Sequence, residues 1–217
     1  YAKIRNQEAK AQNHDILIHM PMQPVSNIKI EEGGLTLGLS EAQVNERVKK
    51  AKSIVPNAIG MNNHMGSAAT ADTTLMTYLM TALHEQHLFF LDSRTIGKSV
   101  AGKIAKEQGV RVLDRHIFLD DSDNLVDVQR QFQSAIQYAR KHGTAIAIGH
   151  PRPNTVAVLK AGIKNLPDDI QLVGMGSLWR NEKILPPKPF ILLFNDIPAP
   201  TSVAPFEPIP LLRGVPR

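Results

Sequence analysis

Met61-Asn62-Asn63-His64-Met65-Gly66-Ser67 follows the short apolar run Ala58-Ile59-Gly60 and precedes a helical pattern that starts near Asp72. The spacing predicts a strand that ends with the run, then a loop carrying two carboxamides, an imidazole and a hydroxyl. Core packing does not call for that mixture, because every buried polar group needs a partner. The pattern recurs along the chain, where apolar runs also end at His19, Asp92 and His150. Polar groups at the carboxyl ends of several strands are how α/β proteins assemble their sites.

Outward from this segment, strand-like and helix-like stretches alternate. Residues 1–13 read as the end of a helix and Asp15–His19 as a buried strand. Ser40 with Gln43 forms a capping-box pattern, and Val44, Val48 and Ala51 recur at helical spacing behind it. A helix over Asp72–Gln86 would bury Leu75, Met76, Leu79 and Leu83, and a strand over Leu88–Asp92 follows. Then come a helix over Ser99–Gln108 closed by Gly109, a strand over Val110–Asp114, and a long helix over Leu125–His142 closed by Gly143. Thr144–Gly149 reads as a strand, Asn154–Lys164 as a helix and Ile170–Val173 as a last short strand.

This rhythm predicts an α/β fold of mostly parallel strands. Five or six strands suit a distorted or incomplete (β/α) barrel, and an open doubly wound sheet fits as well. After Arg180 the composition shifts, and nine of the fifteen prolines fall in residues 186–217. The expected organisation is one domain over residues 1–185 and a Pro-rich C-terminal tail over 186–217. Phe190–Phe194 would add a strand and Ile197–Arg217 an extended tail with polyproline II character.

Bulk composition narrows the function classes. The chain has 217 residues, 42% hydrophobic and 21% charged, as a globular domain does. Its net charge of +5 comes from scattered Lys and Arg with no basic face, which argues against a nucleic-acid partner. No apolar run is long enough to span a membrane. With no cysteine, thiolate catalysis, disulfides and Cys-ligated zinc are excluded. Composition does not set the oligomeric state.

Four strand-end residues form the candidate constellation. His19 and His64 offer imidazole nitrogens, and the groups around His64 suit second-shell support of a ligand. Asp92 is either a cap on the following helix or a carboxylate that orients a histidine. His150 stands between an apolar strand and the stiff loop Pro151-Arg152-Pro153, a setting that suits a general acid. Parallel strands bring their carboxyl ends to one face, so these residues would converge. Imidazoles plus an oxygen ligand suit a divalent ion such as zinc. Asp120-Asp121, followed by Ser122-Asp123-Asn124, reads as a capping turn rather than a metal pair. His14, His84, His87, His116 and His142 read as solvated.

Leu17-Ile18-His19-Met20-Pro21-Met22-Gln23-Pro24, Asn62-Asn63-His64-Met65-Gly66-Ser67, Phe90-Leu91-Asp92-Ser93-Arg94-Thr95 and Ala147-Ile148-Gly149-His150-Pro151-Arg152-Pro153 resemble, in order, the motifs of the divergent polysaccharide deacetylases. That family is related to the NodB-homology carbohydrate esterases of the bacterial envelope. The resemblance covers about residues 10–180. It implies a distorted (β/α) barrel, a divalent metal, and removal of N-acetyl groups from an envelope glycan by attack of a metal-bound water. It also implies a polysaccharide partner and a periplasmic or secreted location. On this analogy His19 and His64 are the metal ligands and His150 is the general acid. Asp92 orients or supports His150, while Asn63 and Arg94 contact substrate. Two departures stand out. Gln23 occupies the fourth position after His19, where the ordinary deacetylases carry a second histidine. In addition, no strand ending in Asp-Asp precedes His19, so the domain reads as N-terminally incomplete.

Two other functions use the same residues. One is a non-catalytic glycan-binding or envelope-scaffold protein on this fold. The other is an unrelated metallohydrolase.

Overall fold

Ile18, Met20 and Met22 are buried, while Leu17, His19 and Pro21 between them are not. This period of two makes β1 (Leu17–Met22) a strand with one face in a core and the other toward a polar site. The computed structural model describes residues 2–182, 193–200 and 208–213. It divides into two compact units, Tyr1–Glu182 and Lys183–Arg217, which are described separately.

In the first unit, α1 (Ala2–Ala11) leads into β1. The α2 helix (Glu41–Ile54) begins at the predicted capping box: the Ser40 side chain takes the Gln43 N–H, and the Gln43 side chain takes the Ser40 N–H. β2 (Gly60–Met65) is followed by α3 (Thr73–Glu85), capped by Asp72, and then by β3 (Phe89–Asp92). α4 (Ala101–Glu107) and β4 (Val112–Asp114) come next, then β5 (Ile117–Phe118) and α5 (Leu125–His142). Gly143, at φ 82°, ends α5 in the left-handed conformation that suits glycine. β6 (Ala147–Ile148), α6 (Pro153–Lys164) and α7 (Met175–Arg180) complete the unit.

β1 to β4 form a parallel sheet in that order, and β5 pairs in parallel with β6. The arrangement is α/β and barrel-like but distorted. Between the two parallel sheets the ladder breaks, and β1 is an edge strand whose outer side is bridged by Leu35 at Met22. A groove of about 980 Å³ runs along that edge, lined by Arg5, Leu17, His19, Pro21, Arg47 and Lys50 among others.

Cores lie on both faces of the larger sheet. Ile18, Met20, Met22 and Met61 pack against Val44 and Val48 of α2 and against Leu75, Met76, Leu79 and Leu83 of α3. On the other face Phe89 and Leu91 meet Ile146 and Trp179, with the Phe89 and Trp179 rings stacked at 5.4 Å. A third cluster joins Leu119 to Phe132, Ile136 and Val158 under α5 and α6. Each such side chain contributes roughly 1.5–3 kcal/mol by leaving water.

Several boundaries differ from the sequence reading. β1 continues three residues beyond His19, through Pro21. This proline sits with its nitrogen toward the outer edge of the sheet, where no ladder donor is needed, and its carbonyl takes the Leu35 N–H. β2 runs through Asn62, Asn63 and His64, so the polar segment expected as a loop is strand. Ile117–Phe118 is a strand with no counterpart in the reading. Ile170–Val173 is not a strand: the turn at Pro167, closed by the Ile170 N–H, leads through an irregular stretch into α7. In the second unit, β7 (Leu193–Pro200) pairs antiparallel with β8 (Pro208–Arg213), so those residues form a two-stranded sheet rather than an extended tail. Of the expected strand Phe190–Phe194, residues 190–192 lie outside the described residues.

Candidate functional site

Register places the first half of the site. Within the β1–β2 ladder His19 stands beside Asn62, and Pro21 beside His64. Alternation turns His19, Asn62 and His64 to one face, away from the buried Met20, Met61 and Asn63. As a result His19 Nε2 and His64 Nδ1 stand 3.0 Å apart, and His19 Nδ1 is 3.1 Å from Asn62 Oδ1. Burial pushes His19 below the ordinary imidazole range. Asn62 opposes this by hydrogen bonding, while the charges of His64 and then His150 add to it. His150 therefore lies within electrostatic reach of the pair.

β2 turns sharply after His64. Met65 (φ 54°) and Gly66 (φ 86°) both adopt left-handed backbone. A Cβ on Gly66 would come within 2.9 Å of Met22 Cβ, so this turn needs glycine.

β5 and β6 position the second half. Asp120, two residues past β5, is fully buried. Its Oδ2 accepts the His150 backbone N–H at 2.6 Å and the Thr155 hydroxyl at 2.8 Å. Its Oδ1 lies 3.0 Å from His150 Nδ1. Burial favours the neutral acid. The hydrogen bonds from the His150 N–H, Thr155 and the imidazole, together with the His150 charge, outweigh it and hold Asp120 below the usual carboxylate range. Arg152 donates to the Asp120 carbonyl, and the Phe118 ring lies 5.6 Å from that of His150.

The carboxylate on His150 is thus Asp120, not Asp92. Asp92 is also fully buried, but its oxygens take the Arg94 N–H at 2.7 Å and the Ser99 hydroxyl at 2.6 Å, which turns the chain after β3. It does not cap α4 either, since Val100 stands at that N-cap without a side-chain bond. Asn63 is not disposed toward a substrate either. It is buried, its Oδ1 accepts the Ser93 N–H at 2.8 Å, and its Nδ2 donates to the Met65 carbonyl at 2.7 Å. Arg94 is exposed, with φ 52° and its Nε 3.9 Å from Asp114 Oδ1. Gln23 spends its side-chain oxygen on the Leu37 N–H. His116, expected to be solvated, is half-buried; its Nδ1 accepts the Ile146 N–H and its ring stacks on Tyr138 at 4.7 Å.

Two imidazoles with ring nitrogens 3.0 Å apart fit a divalent metal. Adjacent ligands of a tetrahedral zinc at about 2.0–2.1 Å are separated by roughly 3.4 Å, so a small opening of the pair admits the ion. No group of three His, Cys, Asp or Glu side chains at metal-binding distance occurs among the described residues. The pair would therefore supply two of the three protein ligands usual in hydrolytic zinc sites.

Comparison with known proteins bears on this arrangement. The chain is 78% identical, over its whole length, to a Haemophilus influenzae protein named only as uncharacterized, of which it covers 78%. It is 43% identical over 189 residues to the Escherichia coli protein YibQ, also named uncharacterized, and spans 59% of that protein. A crystal structure of an uncharacterized Agrobacterium tumefaciens protein superposes with a TM-score of 0.76 at 22% identity, over 79% of this chain and 71% of that one, and so shares the fold. Residues 1–179 match the family described as divergent polysaccharide deacetylase, and the chain belongs to that family.

Proposed function

We propose that the protein is a metal-dependent deacetylase acting on N-acetyl groups of a polysaccharide in the bacterial envelope. The observation that supports this reading is the placement of the His19–His64 pair within electrostatic reach of the Asp120-held His150. Family membership supports a polysaccharide as the substrate class.

In this reading His19 Nε2 and His64 Nδ1 hold a divalent metal, zinc by ligand type. When bound, the metal supplies Lewis acidity toward water and the acetamide carbonyl. The protein's own groups do the rest. Asp120 fixes the His150 ring through Nδ1, leaving Nε2 to hold the proton that the departing amine needs. In this reading Arg94, exposed after β3, would contact the glycan.

Metal analysis of the purified protein, with His19→Ala and His64→Ala beside it, tests the reading, together with acetate release from an acetylated glycan. Both substitutions should lower bound zinc and abolish release. Zinc content unchanged in both variants would overturn the ligand assignment. Glycan binding with no acetate released by the native full-length protein would favour a glycan-binding role.

A further inference from the structure

Ser93 follows β3 directly and is buried. Continuing the β2–β3 ladder would send the Ser93 N–H to the Asn63 carbonyl. That N–H goes instead to Asn63 Oδ1, 2.8 Å away. The Asn63 carbonyl then takes the Ser93 hydroxyl at 2.9 Å. A hydroxyl has one proton, so Ser93 Oγ can only accept from its other neighbour, Asn62 Nδ2, at 3.2 Å. This sets the Asn62 amide. A flipped amide would face Ser93 Oγ with a second acceptor, unless the hydroxyl left the buried Asn63 carbonyl unpaired, at a cost of about 1–3 kcal/mol.

With Nδ2 committed to Ser93, Asn62 presents Oδ1 to His19 Nδ1. That oxygen only accepts, so in the neutral ring Nδ1 carries the proton and Nε2 carries the lone pair. Nε2 is the nitrogen that faces His64. We infer that Ser93, acting through Asn62, is a positioning residue that locks His19 in its Nδ1–H tautomer and so makes Nε2 the electron-pair donor. The use of that lone pair as a metal ligand rests on the proposed function, but the tautomer itself does not.

The test uses metal-free, 15N-histidine-labelled protein at a pH above the imidazole range. Long-range 1H–15N correlation distinguishes the two tautomers, with the His19 signals assigned by their loss in His19→Gln. Native protein should show Nδ1–H at His19. Ser93→Ala and Asn62→Ala should each shift His19 toward Nε2–H. Asn62→Asp, which keeps the acceptor, should restore Nδ1–H. Asn62 is only half-buried, so its variants keep the test decisive if Ser93→Ala fails to fold. An Nε2–H tautomer in the native protein, or no change in either alanine variant, would overturn the inference. Zinc added to the same samples separates the two claims. Asn62→Ala should bind about 10–100-fold more weakly, the usual effect of removing an outer-shell partner. If native protein binds no zinc, the metal reading fails while the tautomer result stands by itself.

Discussion

Asp120 grips His150 at two points, taking its backbone N–H on Oδ2 at 2.6 Å and facing its ring Nδ1 with Oδ1 at 3.0 Å. One carboxylate thereby fixes both the position of β6's end and the rotation of the imidazole. Asp120→Ala should leave the Thr155 hydroxyl and the His150 N–H without acceptors, costing about 2–4 kcal/mol in denaturant unfolding. Asp120→Asn should cost less stability but lower glycan deacetylation by roughly 10²–10⁴-fold, the range of a general acid's contribution. Asp92→Asn should destabilise through the β3 turn without changing the His150 ring environment in NMR spectra. Equal disturbance of His150 by both asparagine variants would restore Asp92 to the role suggested by its place at a strand end.

The assignments of Asn63 and Arg94 separate in the same way. Asn63→Ala strands the buried Ser93 N–H and should cost about 1–3 kcal/mol. Arg94→Ala removes a long, exposed ion-pair contact and should stay within about 0.5 kcal/mol. If Arg94 meets the glycan, its alanine variant should raise KM while thermal stability holds. A folded, fully active Asn63→Ala protein would contradict the buried hydrogen-bond network around Ser93.

Much of this architecture was legible in the sequence because it rests on local signals. Ser40 with Gln43, Leu75-Met76-Leu79-Leu83 and Gly143 each act within one or two turns, and the elements they mark are present. What escaped depended on distant partners. Polar Asn62, Asn63 and His64 look like loop residues, yet β1 pairs with all three, and β3 with Asn62, and this extends the strand. Asp120-Asp121 resembles a turn because Ser122, Asp123 and Asn124 do form one. The strand that aims Asp120 is two residues long and exists only by pairing with β6, thirty positions on. Ile117-Phe118-Leu119 before Asp120 was the available signal. The role of Ser93 was hidden for the same reason: it is read from three hydrogen bonds to β2, not from its own neighbours.

Gly66 offers a backbone test. Its φ of 86° and the 2.9 Å approach of a Cβ to Met22 both oppose any side chain. Gly66→Ala should cost about 1–3 kcal/mol in chemical denaturation. Because His64 lies two residues before this turn, the variant should also weaken zinc binding. A destabilised protein with native zinc affinity would show that the turn and the histidine pair are energetically separate.

His116 predicts the direction of the acid response. Burial, and then the nearby His142, push it below the ordinary imidazole range, against the opposing pull of Asp114. The unfolded chain therefore binds this proton first as pH falls. The stabilisation is fully present above about 6.5 and is lost as pH drops through that value toward the folded pKa. Protonation also removes the Nδ1 lone pair that accepts the Ile146 N–H, beside the strand that carries His150. His116→Asn keeps an acceptor near the same place but cannot titrate. Thermal melts between about pH 8 and 5 should show a shallower loss of Tm for this variant than for the native protein. His19, shifted in the same direction, keeps the variant's curve from becoming flat. Parallel curves for the two proteins would mean that His116 protonates equally well folded and unfolded, and that its bond to Ile146 does not depend on pH.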